Sequence, residues 1–325
     1  MNLLVTGAAG FIGSRVATLA LADGHRVVGI DNLSDAYDVR LKHWRLRELE
    51  PQAGFQFRYL DITDRAALES VFNDGERFDG VVHLAARAGV RQSVEDPWLY
   101  LDVNATGTLN VLDACRRHGV PKFVLSSTSS LYGACNPLPY TEDADTDRPL
   151  SPYAASKKAA EAMAHTYHHL HGLDVTVLRY FTVYGPAGRP DMSLFRFVQW
   201  VAEGQPVTVF GDGRQSRDFT YVDDIAQGTL AALRPLGFEV INLGSDRPVV
   251  LADVLAYIED ALGERAQREY RPRHPADVPA TWANIDRART LLDWKPTTRW
   301  QDGVDRLVAW YRRERDWTRH IATGL

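Results

Sequence analysis

The chain contains few cysteines and no long apolar run. Its two cysteines, Cys115 and Cys135, provide neither a disulfide framework nor the ligand spacing of a metal site. No apolar segment approaches the length of a membrane span. The first residues also lack the basic segment of a signal peptide. We therefore expect a cytoplasmic protein that neither binds metal nor enters a membrane.

An excess of positive charge is also missing. The formal net charge is −5 and the pI is about 6.1, which argues against a surface for nucleic acid or anionic membranes. Hydrophobic residues make up 45% of the chain and charged residues 24%, as in ordinary globular proteins. With 325 residues, the chain is long enough for about two domains with a substantial core.

A glycine-rich turn follows the first apolar run. Gly7, Gly10 and Gly13 stand at intervals of three, directly after a predicted buried strand. In dinucleotide-binding turns such glycines permit a tight turn, close approach of the pyrophosphate and packing of the next helix. The helix N-terminus then offers N–H groups to the pyrophosphate. The spacing differs from Gly-x-Gly-x-x-Gly, so a glycine-rich turn without a ligand is the alternative.

The next predicted strand, Arg26–Asp31, ends in an acid at the position that ribose recognition requires. Asp31 would accept hydrogen bonds from the adenosine hydroxyls and repel a 2′-phosphate. Asn32 and its two successors include no arginine that could neutralise such a phosphate. This pattern favours NAD over NADP, and the alternative is a strand-end aspartate that faces solvent.

Strand-like and helix-like segments alternate over the first half of the chain. Strands are predicted at 55–60, 80–84, 122–126 and 175–178, and helices at 11–23, 63–73, 97–118 and 152–172. The alternation predicts an α/β fold with a doubly wound parallel (Rossmann) sheet and a smaller C-terminal α/β lobe. We predict an NAD-binding domain at 1–180, to which 222–243 return, and a smaller second lobe at 181–325.

Tyr153 and Lys157 form a Tyr-x-x-x-Lys motif in a predicted helix. Residues four apart are neighbours on a helix, so Lys157 can favour the phenolate form of Tyr153 by lowering its pKa. A tyrosine that exchanges a proton near neutral pH suits chemistry on an alcohol or ketone. The motif alone is weak evidence, because many matches are surface tyrosines.

Further motifs make the chain resemble the extended short-chain dehydrogenases/reductases that act on nucleotide sugars. They are residues 61–62, 83–91, Asn104, 126–133 and 217–224. The resemblance implies that Asp61 and Ile62 flank the adenine and that Lys157 also holds the nicotinamide ribose. It implies that further cofactor-binding residues are Phe11, Ile12, Asn32, Leu84, Ala85, Ala86, Asn104, Tyr153 and Tyr180.

The reaction is indicated by Ser129 and Ser130. Related dehydratases carry an Asp-Glu pair in this segment, and related decarboxylases carry a Glu. Hydroxyl groups cannot exchange a proton with a sugar carbon near neutral pH. Thr128 remains to help Tyr153 act on the sugar O4. Without a second acid-base group, the remaining reaction is oxidation and re-reduction of the sugar, which is 4-epimerisation. The alternative is a strand-end loop whose serines form local backbone bonds.

Residues 178–192 resemble UDP-glucuronate 4-epimerases, and many neutral-sugar relatives carry Asn where Thr182 stands. The hydroxyls of Thr128, Ser129, Ser130 and Thr182 could hold the sugar carboxylate. Arg189 is a second candidate, since guanidinium binds carboxylate in a bidentate way. An equally weighted alternative is that Arg189 orders the turn or pairs with Asp191.

The resemblance alone implies that the lobe at 181–325 binds the nucleotide sugar, and it supplies the other substrate residues. Arg217, Arg273 and Asp277 would hold the pyrophosphate and the uridine ribose, although the register of Arg273 departs from the family pattern. Phe210 would stack on uracil, or pack in the core. The family also implies a homodimer through helices 97–118 and 152–172. Three alternatives remain: a UDP-glucose or UDP-N-acetylglucosamine 4-epimerase, an oxidoreductase or dehydratase of the same fold, and a non-catalytic NAD-binding sensor.

Overall fold

The computed structural model describes residues 1–75, 77–272 and 277–324. The strands are β1 (Asn2–Thr6), β2 (Arg26–Asp31), β3 (Phe55–Tyr59), β4 (Gly80–His83), β5 (Lys122–Thr128), β6 (Asp174–Tyr180), β7 (Thr182–Tyr184), β8 (Val207–Phe210), β9 (Ser216–Tyr221), β10 (Phe238–Leu243), β11 (Pro248–Val250) and β12 (Arg268–Arg271). The helices are α1 (Phe11–Ala22), α2 (Arg40–Leu49), α3 (Arg65–Asn73), α4 (Gln92–Glu95), α5 (Pro97–Leu101), α6 (Gly107–Arg117), α7 (Pro152–His171), α8 (Ser193–Ala202), α9 (Val222–Ala231), α10 (Leu251–Leu262), α11 (Asp286–Leu292), α12 (Trp300–Arg313) and α13 (Arg315–Thr318).

Seven strands form one parallel sheet in the order β10-β6-β5-β4-β1-β2-β3. Apolar side chains of the sheet and its helices form a separate core on each face. The doubly wound α/β fold predicted from the sequence is therefore confirmed. The strand order reverses between β1 and β4, and open sheets of this kind bind ligands in the crevice beyond the strand ends at such a point.

A smaller lobe lies beyond the end of the sheet. One small sheet has the order β11-β9-β7 and another pairs β12 with β8. Helices α8, α10 and α12 pack together with these strands around a third apolar core. The strand β10 pairs with β6 and belongs to the main sheet, although it follows β9 in the chain. The predicted domain boundary at 180/181 stays a prediction.

The structure contains several helices that the sequence did not predict, and in the N-terminal half two differences bear on the site. The helix predicted at 97–118 is interrupted by a π-helical turn, Asp102–Thr106, between α5 and α6. The Asn104 amide explains the interruption, because it bonds the backbone of Arg87 and the hydroxyl of Ser156. The helix α2 was not predicted at all. Over the described ranges, we find no helix that combines the length and the apolar character needed to cross a membrane.

A buried aspartate joins the small lobe to the end of the main sheet. The carboxylate of Asp218, in β9, accepts hydrogen bonds from the backbone N–H groups of Ser245, Asp246 and Ala283. Burial raises the pKa of Asp218, and these hydrogen bonds oppose the rise. The side chain thus satisfies three backbone donors from two separate loops.

Asp218→Asn should therefore destabilise the protein. The amide keeps the volume of the carboxylate but can accept at one oxygen only, which leaves at least one buried donor unsatisfied at a cost of roughly 1–3 kcal/mol. Urea unfolding measures the loss. Asp147→Asn is the control, because its salt bridge to Lys158 is exposed and should contribute less than about 1 kcal/mol. Equal losses in the two variants would contradict this role for Asp218.

Candidate active site

One cleft lies at the carboxyl end of the main sheet and extends from the glycine turn to the start of α7. It brings together fifteen of the sixteen residues predicted for the cofactor. They are Gly7, Gly10, Phe11, Ile12, Gly13, Asp31, Asn32, Asp61, Ile62, Leu84, Ala85, Ala86, Tyr153, Lys157 and Tyr180. The sixteenth, Asn104, lies behind the cleft wall, where its side chain fixes the backbone of Arg87.

The glycine turn fits a pyrophosphate. A β-carbon on Gly7 would come within 2.7 Å of the backbone nitrogen of Ala85, and Gly7 has a positive φ of 72°. A β-carbon on Gly13 would collide with the carbonyl oxygen of Gly7. The following helix, α1, begins without a side-chain cap at Gly10. Its first N–H groups can therefore serve an anionic ligand.

Asp31 has a cationic neighbour that the sequence analysis missed. Its carboxylate accepts hydrogen bonds from the backbone of Ala9 at 3.2 Å and of Leu33 at 2.8 Å. The ammonium of Lys42, in α2, lies 3.2 Å from the same carboxylate and is almost fully buried. The chain has no arginine at 32–34, but Lys42 still supplies a positive charge next to Asp31. Lys42 thus places this positive charge beside the position predicted for the ribose.

Tyr153 and Lys157 lie one turn apart at the start of α7. This helix has Pro152 in its first turn and Ser151 as a capping residue. Burial raises the pKa of Tyr153, while a hydrogen bond from Thr128 and the charge of Arg189 lower it. The sequence assigned the lowering charge to Lys157. In the structure that charge is Arg189, a residue distant in sequence.

Lys157 is buried and fits a polar ligand. Burial lowers the pKa of Lys157 to about 8, and the nearby charge of Glu161 opposes the shift. Within the described part of the chain, its ammonium forms neither an ion pair nor a hydrogen bond. Buried polar groups are almost always paired. A ligand oxygen, such as a ribose hydroxyl, fits this position.

Two buried polar groups behind the cleft were also missed by the sequence analysis. Arg179, in β6, donates two hydrogen bonds to Glu161, which also accepts one from Ser127. His83 lies between the hydroxyls of Thr6 and Thr108. Burial lowers the pKa of His83 to about 3, so its ring is neutral. His83, Ser127 and Arg179 lie in the motifs 83–91, 126–133 and 178–192, but the sequence did not show which residues they pair with, because the partners come from separate strands and helices.

Four hydroxyl side chains line the cleft near Tyr153, and we call them the hydroxyl cluster. They are Thr128, Ser129, Ser130 and Thr182. Thr128 ends β5 and caps a 3₁₀ turn, Ser129–Tyr132, by accepting a hydrogen bond from the backbone of Ser130. Thr182 starts β7 on the neighbouring chain segment. The cluster therefore presents neutral donors from two sides.

Arg189 pairs with Asp191, as one of the two sequence interpretations expected. Its Nε and Nη2 atoms lie 3.0 and 2.5 Å from the carboxylate oxygens, and Nη2 also donates to the carbonyl of Ala88 at 3.0 Å. The pKa of Arg189 is raised, with burial opposed by the charge of Asp191. Arg189 still lines the cleft, but most of its donors are engaged within the protein.

Phe210, Arg217 and Asp277, which were predicted for the nucleotide end, lie outside the cleft lining. Arg91, which had no predicted role, lies 4.0 Å above the ring of Phe210 and 2.7 Å from the carboxylate of Asp277. Phe210 is thus covered by a guanidinium rather than packed in the core. Arg217 donates to the backbone of Ser216. Arg273 lies outside the described residues.

Comparison with known proteins agrees with this geometry. The model of the NAD dependent epimerase/dehydratase family matches residues 3–244. A UDP-glucuronate 4-epimerase of Thermodesulfobacterium geofontis is 54% identical over 308 residues, which cover 94% of this chain and 95% of that protein. The crystal structure of UDP-glucuronic acid 4-epimerase from Bacillus cereus, in complex with UDP-glucuronic acid and NAD, is 38% identical. Its TM-score is 0.91, and the match covers 97% of this chain and 100% of that one.

A structure with a neutral sugar is also similar. The UDP-glucose 4-epimerase of Thermotoga maritima, crystallised with UDP-glucose, is 32% identical with a TM-score of 0.89. The match covers 97% of this chain and 99% of that one. Backbone similarity therefore does not separate the two sugar classes.

Thr128→Val should raise the pH at which Tyr153 loses its proton. The substitution removes the hydroxyl that stabilises the phenolate and keeps the side-chain shape. A hydrogen bond to a charged group contributes about 1.5–3 kcal/mol, which corresponds to roughly one pH unit or more. An ultraviolet titration of tyrosinate, with Tyr153→Phe subtracted, measures the change. Thr128→Ser keeps the hydroxyl and should titrate like the unaltered protein, and an identical curve for Thr128→Val would refute the contact.

Proposed function

The chain belongs to the NAD dependent epimerase/dehydratase family, and on this premise we propose that it converts UDP-glucuronate to UDP-galacturonate, with NAD as its cofactor. The observation that carries the proposal is the placement of Tyr153 and the hydroxyl cluster in the same cleft as the glycine turn. The sequence relative that supports it most strongly is a UDP-glucuronate 4-epimerase with 54% identity.

The cofactor would extend along the cleft. The glycine turn and the N-terminus of α1 would hold the pyrophosphate, and Asp31 would accept hydrogen bonds from the adenosine ribose. Asp61 and Ile62 would flank the adenine. Lys157 would donate to the nicotinamide ribose, which would give its buried ammonium the partner that it lacks within the described chain.

The residues of the cleft support a two-step inversion of carbon 4. When bound, NAD takes up and later returns the hydride of that carbon. Tyr153 would remove the proton of the O4 hydroxyl as a phenolate and give it back from the phenol. Thr128 and Arg189 favour the phenolate against the effect of burial. Between the steps, the sugar would turn while Arg217, Asp277 and Phe210 anchor the nucleotide.

The hydroxyl cluster would hold the sugar carboxylate. Arg189 is less suited to direct contact, because two of its nitrogens already bind Asp191. Neither Ser129 nor Ser130 can serve as a general acid or base near neutral pH. The product would therefore retain its carboxylate. The alternative of a neutral sugar draws support from the similarity to a UDP-glucose 4-epimerase structure.

Conversion of UDP-glucuronate should exceed conversion of UDP-glucose by at least about 100-fold in kcat/KM, because two or more charge-assisted hydrogen bonds would be lost with the neutral sugar. Chromatography of the products measures this ratio. In a separate assay, the purified protein should release bound NAD on denaturation, although no NAD was added during purification. Replacing both Ser129 and Ser130 by Ala should reduce the preference. Equal use of both sugars would favour the neutral-sugar alternative, and a UDP-pentose product would contradict the proposal.

Tyr153→Phe should lower kcat about 100- to 10,000-fold.

A homodimer and a cytoplasmic location are also part of the proposal. The helices α5 and α7 expose large apolar side chains on one face, among them Trp98 (74% exposed), Leu101 (39%) and Met163 (37%). Ala154, Ala160 and Ala164 are buried within the protein, whereas Ala155 and Ala159 lie at its surface. An exposed apolar face with small residues suits the close approach of two helices from a second copy.

Replacing both Leu101 and Met163 by Glu should convert the dimer to a monomer, because each protomer would place charges into the same two-fold interface. Light scattering at micromolar concentration measures the mass. Tyr59→Glu is the control, since Tyr59 is also an exposed apolar residue (73%) but lies on the edge strand β3. A monomer in the unaltered protein would reject the homodimer.

A further inference from the structure

Arg45 is a buried arginine in the middle of α2. It is only 2% exposed and lies between Leu41 and Leu49, which occupy the preceding and following turns and are fully buried. No carboxylate among the described residues forms an ion pair with it. A buried guanidinium must have its donors satisfied, because it cannot lose its charge in a protein. Its partners therefore reveal what the residue holds.

The two ends of the guanidinium bind two different loops. At one end, Nη1 donates to the carbonyl of Ala9 at 3.0 Å and to the hydroxyl of Tyr37 at 2.7 Å. At the other end, Nε and Nη2 donate to the carbonyl of Ala187 at 3.1 and 2.7 Å. Ala9 belongs to the glycine turn. Ala187 belongs to residues 185–191, which we call the Arg189 loop.

The Arg189 loop has an unfavourable backbone conformation at this contact. Ala187 is buried and has a φ of +50°, in the left-handed region that residues other than glycine rarely adopt. Such a conformation persists only when the surrounding structure holds it. The two hydrogen bonds from Arg45 to the Ala187 carbonyl supply that restraint.

The restrained loop places Arg189 in the cleft. Arg189 follows Ala187 by two residues and lines the cleft with Tyr153. The ionisable groups that face Tyr153 are Arg189 from this loop, Tyr100 from α5 and Lys157 from its own helix. Of these, Arg189 is the group whose charge acts on the phenol.

We propose that Arg45 is a positioning residue that ties the Arg189 loop to the glycine turn, so that Arg189 stays beside Tyr153 when the cofactor is in place. Arg45 contacts neither the reacting atoms nor the residues predicted for the UDP end; at the cofactor end it binds the carbonyl of Ala9 and lies 5.9 Å from the ring centroid of Phe11. Its loss should therefore change the proton transfer more than the binding of the nucleotide. This inference deepens the proposed epimerase function and rests on it for the kinetic readouts, but not for the titration of Tyr153.

The main test compares Arg45→Met with the unaltered protein. Methionine keeps the unbranched apolar stem of the side chain but ends where the guanidinium group begins and has no donor. We expect kcat to fall by about 10- to 100-fold, as mispositioning by about 1 Å can do, while KM changes less than about threefold. The acid limb of the pH profile should move to higher pH, because Tyr153 loses the effect of the Arg189 charge. The tyrosinate titration should move in the same direction.

Two further variants separate positioning from folding. Arg45→Lys keeps the charge, but a single ammonium cannot reach both carbonyls, so it should show a smaller change of the same kind. Ala187→Gly in the Arg45→Met background should restore part of kcat and return the pH profile, since glycine adopts a positive φ without cost. Arg47→Met, on the exposed side of the same helix, is the matched control and should not change the kinetics.

The outcomes of these experiments either support or contradict the positioning role of Arg45. An Arg45→Met protein that is folded and retains both kcat and its pH profile would overturn the proposal. The proposal would also be overturned if Arg45→Met lost activity only in proportion to the loss of folded protein and if Ala187→Gly did not restore that activity. If the unaltered protein epimerises no UDP-sugar, the proposed function fails, and the tyrosinate titration of Arg45→Met still judges the positioning role.

Discussion

The cost of removing charge from water is the constraint on which the site depends. Lys42, Arg45, Lys157, Glu161 and Arg179 are all at most 7% exposed, and they lie beside or beneath one cleft. An isolated buried charge costs several kcal/mol, so each must be paired with an opposite charge or with polar groups. Lys42 pairs with Asp31, Arg179 with Glu161, and Arg45 with carbonyls. These pairings fix the strand ends and loops in one arrangement.

Lys157 is the exception, and its position explains why. Its neighbour Glu161 is already bound by two nitrogens of Arg179, so the carboxylate acts on Lys157 only through its charge. Burial lowers the pKa of Lys157 to about 8, because the charge of Glu161 offsets only part of the effect of burial. A ligand hydroxyl at this ammonium would stabilise the charged form and so raise that pKa. The ammonium of Lys157 is thus available to the proposed ligand, whereas the other buried charges of the site have partners within the protein.

The parts of the site that sequence predicted are those in which local spacing determines geometry. Gly7, Gly10 and Gly13 define one turn, and Tyr153 and Lys157 share one helix face, so both patterns can be recognised within a few residues. The role of Arg91 could not be predicted in this way, because its partner Asp277 lies 186 residues away. The helix α2 was missed because Arg45 interrupts its apolar stripe of Leu41 and Leu49. A charged residue at that central position was itself the signal for a buried polar contact.

The proposed binding of the sugar carboxylate by hydroxyls rather than by a guanidinium is consistent with the proposed cycle. A 4-keto sugar must present both faces to the cofactor, so its carboxylate must be held in more than one orientation. A bidentate guanidinium favours a single planar arrangement, and Arg189 is kept from it by Asp191. Thr128, Ser129 and Ser130 at the end of β5, together with Thr182 in β7, offer rotatable donors at several points. Arg189 then acts through its charge on Tyr153, where a fixed position is an advantage because the proton is exchanged at one atom in both half-reactions.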